Sequence, residues 1–142
     1  MLIRKQAAKQ VGFMDERFFM YAEETDWCYR FKMSGWKVLF TPQPKIIHLG
    51  GASSEKIASD MTLQLRGAIL QFIQKHHSRL SYSFACLLTA LFFALRIPIW
   101  FLRIFLLPEK RILCWSKVSI YSKGLWRILT GRKAICWQFQ RD

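Results

Sequence analysis

The sequence of 142 residues predicts an α/β fold followed by an α-helical tail. In residues 1 to 55, helical segments alternate with two short extended segments, residues 36 to 40 and 45 to 49. Residues 56 to 82 read as an amphipathic helical connector, and residues 83 to 142 form a basic, apolar stretch with helical periodicity. These boundaries divide the chain into three parts.

In the first part, residues 3 to 11 predict a short helix or a strand-to-helix passage that stops at Gly12. A second helix is expected over residues 25 to 33, where Asp26 and Arg30 stand four apart and can form an ion pair on one face. Ser34 and the glycine after it provide a C-terminal cap. Residues 36 to 40 then predict a strand, which the prolines that follow must end.

The connector has apolar residues at helical spacing, with cations near its end that suit the helix dipole. The apolar residues are Met61, Leu65, Ile69 and Phe72, and the cations begin at Lys75. This pattern predicts an amphipathic helix within residues 53 to 80.

The third part begins with twelve residues, 84 to 95, of which Thr89 alone is polar. Thr89, Arg96, Arg103 and Lys110 recur every seven residues, so they share one helix face. A basic stripe on an apolar helix is typical of a segment in the membrane interface, with arginines reaching the headgroups. Pro98 should kink or divide the helix. A helix buried against another domain is the alternative, and the pattern leaves open whether residues 84 to 107 span the membrane or lie in it.

The formal charge of +13 is unevenly distributed. Residues 1 to 59 carry nine Lys or Arg and six Asp or Glu, whereas residues 60 to 142 carry thirteen against three. The basic excess coincides with the apolar stretch, which favours an anionic membrane surface over nucleic acid. The four cysteines contain no Cys-x-x-Cys pair, so neither a zinc ribbon nor a disulfide framework is indicated. No secretory signal opens the sequence, and export is not expected.

Three carboxylates, Glu23, Glu24 and Asp26, fall within four residues directly after an aromatic cluster. Like charges this close raise one another's pKa, and a partly desolvated carboxylate is a better base near neutral pH. Acids at a helix N-terminus are also a common structural feature. The composition alone leaves both interpretations open.

A longer pattern of ordered residues surrounds these acids and covers about residues 1 to 55. It consists of Asp15-Glu16, Phe18-Phe19, Glu23-Glu24, Asp26, Cys28 and Arg30, followed by Gly35-Trp36, Pro42, His48, Gly50-Gly51 and Ser53. The pattern resembles the family 2 glycosyltransferases, most closely their rhamnosyltransferase-like branch. The resemblance implies a partial GT-A, Rossmann-like domain, of which this chain holds the C-terminal half only, and an inverting transfer from a nucleotide-sugar donor.

The resemblance also implies roles for individual residues. Glu24 aligns with the general base that deprotonates the acceptor hydroxyl, although the family more often has Asp there. Glu23, Asp26, Arg30 and Trp36 are expected to support or line the acceptor site. His48 aligns with a histidine that reaches the divalent metal, Mn²⁺ or Mg²⁺, on the donor diphosphate.

The sequence contains no Asp-x-Asp motif, with which His48 would share the metal. We therefore expect the donor-binding half to come from an upstream segment or a separate chain, and little activity from this chain alone. The expected partners are a nucleotide-sugar donor, a lipid-linked glycan acceptor and the cytoplasmic face of the cell membrane. A noncatalytic membrane-associated remnant or a split subunit is the alternative.

Overall fold

The computed structural model describes residues 1–18, 20–43, 45, 47 and 58–131, with side chains in the last range from residue 61 onward. Five α-helices and one 3-10 helix occur in these ranges. They are α1 (Lys5–Val11), α2 (Glu23–Met33), α3 (Ala58–His76), α4 (Arg79–Leu106), the 3-10 helix Pro108–Lys110 and α5 (Arg111–Leu129).

The predicted α/β fold is wrong. The structure is 73% helical, and its described residues contain no β-strand, so a partial GT-A, Rossmann-like domain is not supported. Residues 36 to 40 are irregular, and the side chains of Leu39 and Phe40 are 83% and 91% exposed. A strand needs a neighbour that satisfies its backbone N–H and C=O groups, and no described residue pairs with this segment in a β-ladder. The second expected strand, residues 45 to 49, lies largely outside the described residues.

The helices α1 and α2 are joined by side chains that bind the backbone between them. Trp27 Nε1 donates to the carbonyl of Gly12 at 2.8 Å, and the Arg30 guanidinium donates to the carbonyls of Val11 at 2.8 Å and Phe13 at 2.7 Å. Gly12 has a φ of 84°, which a residue with a Cβ rarely adopts. The turn after α1 is therefore fixed by α2.

The helices α3, α4 and α5 pack around one apolar core. Leu63, Phe93, Ile120 and Tyr121 are its buried members. Ser78 caps α4 by accepting a hydrogen bond from the backbone N–H of Ser81 at 3.2 Å. Pro98 does not divide this helix, which runs unbroken for 28 residues, about 42 Å at the usual rise per residue.

One side of α4 remains uncovered. The helix is long and apolar enough to cross a membrane, yet only 11% of its most apolar window is buried by the rest of the structure. Most of the exposed large apolar residues of α4 fall on one face at helical spacing and form a stripe; they are Leu80, Phe84, Leu87, Leu88, Leu91, Leu95, Ile99, Leu102, Phe105 and Leu106. Phe101 is exposed as well. The described chain therefore buries only the face of α4 that carries Phe93.

Gly124 of α5 marks the closest approach of the three helices. A Cβ at this position would lie 2.6 Å from Phe93 Cε2 and 2.8 Å from Leu63 Cδ2. Both side chains are almost fully buried, so neither can move without displacing its own neighbours.

We predict that Gly124→Ala lowers the free energy of unfolding by about 1–3 kcal/mol, because overpacking outweighs the gain in helix propensity. Ser122→Ala, at an exposed position two residues away, is the matched control. Thermal unfolding in detergent, followed by circular dichroism, measures the difference. Equal melting temperatures for the two variants would contradict this packing.

Candidate functional site

The three predicted acids occupy the first turn of α2, directly after a backbone turn of unusual conformation. Tyr21 and Ala22 have φ values of 68° and 65°, in the left-handed region that residues with a Cβ avoid. Gln64 of α3 supports this turn by donating from Nε2 to the carbonyl of Met20 at 3.4 Å. The three carboxylates therefore lie at the positive end of the helix dipole of α2. The two residues directly before the helix are held in a strained backbone conformation.

Asp26 is fully buried and is surrounded by cationic groups from two helices. Arg30 Nε lies 2.8 Å from Asp26 Oδ2, which is the predicted same-face ion pair. Lys75 Nζ and His76 Nε2, both from α3, lie 2.5 Å and 2.6 Å from Asp26 Oδ1. Asp26 thus joins α2 to α3, and we call these four residues the Asp26 cluster.

The net effect of this environment is to lower the pKa of Asp26. Burial acts against ionisation and raises the pKa of the carboxyl, but hydrogen bonds from Lys75, His76 and Arg30 outweigh it. A carboxylate that is buried and has a lowered pKa is out of reach of a substrate hydroxyl and is a weak base. Asp26 is therefore a structural anchor in the described chain.

A second acid, Asp15, extends the contact between the N-terminal segment and α3. Its Oδ2 lies 2.7 Å from Arg17 Nη2 and 2.7 Å from Lys75 Nζ. The hydrogen bond from Arg17 is the main cause that lowers the pKa of Asp15, and Lys75 adds to it. Lys75 therefore bridges two carboxylates that stand eleven positions apart in the sequence.

The two glutamates differ from Asp26 in their surroundings. Glu24 is exposed, and no described residue gives it a hydrogen bond or an ion pair. Glu23 is half-buried, and its Oε2 is a buried oxygen without a hydrogen-bond partner among the described residues. Of the three predicted acids, Glu24 alone is exposed, so its carboxylate can accept a hydrogen bond from another molecule.

Arg30 and Trp36, expected to support the acceptor, are occupied within the chain. The Arg30 guanidinium is shared between Asp26 and two backbone carbonyls. Trp36 is half-buried, and its Nε1 donates to Gln10 Oε1 at 3.0 Å. In the described structure both side chains fasten α2 and the segment after it to α1.

The predicted metal ligand, His48, lies outside the described residues. Among the residues that the structure does describe, no group of three His, Cys, Asp or Glu side chains could hold a metal ion. The metal assignment therefore remains a prediction.

Lys75 and His76 are neighbours of Asp26 that the sequence pattern does not predict. Helical spacing indicates only cations that suit the end of α3, whereas the structure places both side chains on Asp26, 49 and 50 residues away. Tyr29 adds to this junction, because its ring centroid lies 4.4 Å from that of His76. Periodicity within a single helix carries no information on such a distant partner.

Comparison with known proteins adds one relationship. The chain is 40% identical over 48 residues to the N-acetylglucosaminyl-diphospho-decaprenol L-rhamnosyltransferase of Mycobacterium tuberculosis, in both the CDC 1551 / Oshkosh and the H37Rv strains. The match covers 34% of this chain and 16% of each relative, so the chain aligns with only about a sixth of the relatives' length. No family model matches the chain, and no solved structure matches it significantly. The short match supports a relationship to glycosyltransferases and nothing finer.

We predict that Asp26→Asn lowers the free energy of unfolding by about 3 kcal/mol at neutral pH, because the buried cationic groups lose their anion. Glu24→Gln, the same change of carboxylate to amide at an exposed position of the same turn, should alter it by less than about 0.5 kcal/mol. Denaturant unfolding of both variants measures these values.

The difference in the free energy of unfolding between the wild type and Asp26→Asn should depend on pH. A carboxyl whose pKa is lowered by folding stabilises the protein above its unfolded pKa, about 3.9, and loses that contribution as the pH falls through the folded value. The two proteins should therefore converge in acid. A difference that persists unchanged at the lowest pH, or equal effects of the two amide substitutions, would contradict the anchoring role of Asp26.

Proposed function

We propose that this chain is the acceptor-side part of a glycosyltransferase and that Glu24 is its general base. The observation that supports the proposal most is the difference in environment among the three acids of α2. Asp26 is buried and forms ion pairs with Arg30 and Lys75, whereas Glu24, two residues earlier, is exposed and without a described partner. Only a carboxylate of the second kind can receive a proton from a substrate hydroxyl.

In the proposed reaction the acceptor hydroxyl oxygen attacks the anomeric carbon of the donor sugar in line with the departing nucleotide. The hydroxyl proton passes to Glu24 as the new glycosidic bond forms and the bond to the nucleotide diphosphate breaks. Inversion at the anomeric carbon follows from this single displacement. Glu23, on the same turn of α2, is proposed to support the acceptor site beside Glu24.

The substrate classes follow from the relatives, whose name describes rhamnosyl transfer to an N-acetylglucosaminyl-diphospho-decaprenol. For this chain we propose a lipid-linked glycan as acceptor and a nucleotide-activated deoxysugar or hexose as donor. Because the match covers a sixth of the relatives, we propose that other residues or a separate chain bind the donor. Mn²⁺ or Mg²⁺ would act with that half, and His48 is the proposed contribution of this chain.

The helical part is proposed to attach the site to the cytoplasmic face of the cell membrane. The uncovered apolar stripe of α4 and the excess of cations after residue 60 support this, since hydrocarbon and anionic headgroups match the two features. A lipid-linked acceptor would then meet the α2 acids near the bilayer surface. Nucleic acid is not a proposed partner.

A noncatalytic remnant or a split subunit remains the second candidate, favoured by the lack of an Asp-x-Asp motif in the sequence. Such a chain would keep its membrane attachment and lack transfer. The same assay decides between the two candidates.

The test is transfer of radiolabelled sugar from a panel of nucleotide donors to membrane lipid extract, with Mn²⁺ or Mg²⁺. We expect activity from the chain together with the protein encoded immediately upstream, and little from the chain alone. Glu24→Gln should lower that activity by about a hundredfold or more, the usual loss when a general base is removed.

Glu16→Gln is the matched control, because Glu16 is an exposed glutamate outside the α2 turn. It should leave transfer near the wild-type rate. Equal activity of both variants would refute Glu24 as the base. Absence of transfer from the combined, folded protein with an adequate donor panel would favour the noncatalytic candidate.

A further inference from the structure

Two arginines from different helices lie against one aromatic ring. The guanidinium carbon of Arg66, on α3, lies 4.0 Å from the ring centroid of Phe92, on α4, and that of Arg96 lies 4.4 Å from the same centroid. Arg96 also approaches the Tyr121 ring of α5 at 5.9 Å. Three helices thus hold two permanent positive charges at one place.

Neither arginine has an anionic partner in the part of the chain that the structure describes. The ion pairs found there involve Asp15 and Asp26 only, and no hydrogen bond from Arg66 or Arg96 is present. Cation–π contacts offset part of the repulsion between two like charges, but they leave the N–H donors of both guanidinium groups unused. A planar guanidinium group can donate two parallel hydrogen bonds to two oxygens of one phosphate group.

The position of the pair indicates which phosphate it would meet. Phe92 and Ile99 are seven residues apart on α4 and lie in one row at the edge of its exposed apolar stripe, and Arg96 lies one turn after Phe92. Arg103, seven residues after Arg96, continues the same edge and lies 4.9 Å from the Trp100 ring. A molecule whose acyl chains cover the stripe would present its headgroup at this edge.

We propose that Arg66 and Arg96 form a binding site for the phosphate of an anionic membrane phospholipid, with Phe92 as the platform that holds both guanidinium groups. The inference rests on the proposed membrane attachment and adds to it a defined headgroup contact. Occupation of the site would fix how α3 and α4 meet the bilayer surface. It would thereby orient the Asp26 cluster, to which α3 contributes Lys75 and His76 at its C-terminal end.

The test compares binding of the purified full chain to vesicles of phosphatidylcholine alone, phosphatidylcholine with phosphatidylglycerol, and phosphatidylcholine with a fatty-acid carboxylate at equal charge. The double variant Arg66→Gln/Arg96→Gln should bind the phosphatidylglycerol vesicles at least about tenfold less tightly than Arg79→Gln/Lys123→Gln. The control pair removes the same charge from two exposed positions of the same helical part.

The charge-retaining variant Arg66→Lys/Arg96→Lys tests whether the paired N–H groups of the guanidinium are needed. It also replaces the glutamine variant in the comparison if that variant fails to fold. It should bind at least about threefold less tightly than the wild type, because an ammonium group cannot make the paired contacts. Wild-type binding should be tighter to phosphatidylglycerol than to carboxylate vesicles. Inorganic diphosphate at equal phosphate concentration should not displace the vesicles.

Three results would overturn the site while leaving membrane attachment intact: equal losses in the glutamine and control pairs, equal wild-type binding to the two anionic vesicles, or complete displacement by diphosphate. A lysine variant that binds like the wild type would also overturn it. A wild-type chain that binds none of the vesicles would refute the proposed membrane attachment itself. Sugar transfer is measured separately and is not decided by these outcomes.

Discussion

The contact of Asp26 with Lys75 and His76 is the interaction on which the arrangement of the chain depends. The helix α2 meets α3 through this buried carboxylate and through Tyr29, whose ring lies against those of Phe72 and His76. Asp15, which precedes α2, adds a second ion pair with Lys75. Removing one partner of a buried ion pair lowers the free energy of unfolding strongly, because the other charge is left buried without compensation. Substitutions in the Asp26 cluster should therefore be poorly tolerated. The strained turn at Tyr21 and Ala22, which precedes the candidate base, is held in place by the same helix through Gln64.

This arrangement gives the neighbouring acids Asp26 and Glu24 different environments. Asp26 connects two parts of the molecule, and its ionised, buried state suits that task because Arg30 and Lys75 balance its charge and His76 lies within hydrogen-bonding distance. Glu24 lies two residues earlier on the same rigid turn and is directed to solvent. Asp26 thus fixes the backbone from which Glu24 projects, while the Glu24 side chain itself stays exposed.

Local features of the sequence predicted local structure well. The helix expected over residues 25 to 33 is α2, its Asp26–Arg30 pair is present, and Gly35 adopts the positive φ of a residue after a helix end. Prediction failed where the outcome depends on distant partners. Residues 36 to 40 have strand-forming side chains but no neighbouring strand among the described residues. Lys75 and His76 meet a carboxylate about 50 positions away. Pro98 failed to interrupt α4, whose flanking turns pack on α5 through Phe93 and Trp100.

Hydrogen exchange in the wild type and in a Lys75→Met variant tests the dependence on the Asp26 cluster most directly. We expect faster exchange of the amides of α2 and of residues 12 to 22 in the variant. The exchange rates of the amides in the core formed by Leu63, Phe93 and Ile120 should not change. This selective loss would follow because the cation joins the two parts and contributes nothing to the core. Unchanged exchange in α2, or a uniform loss across all helices, would contradict the account.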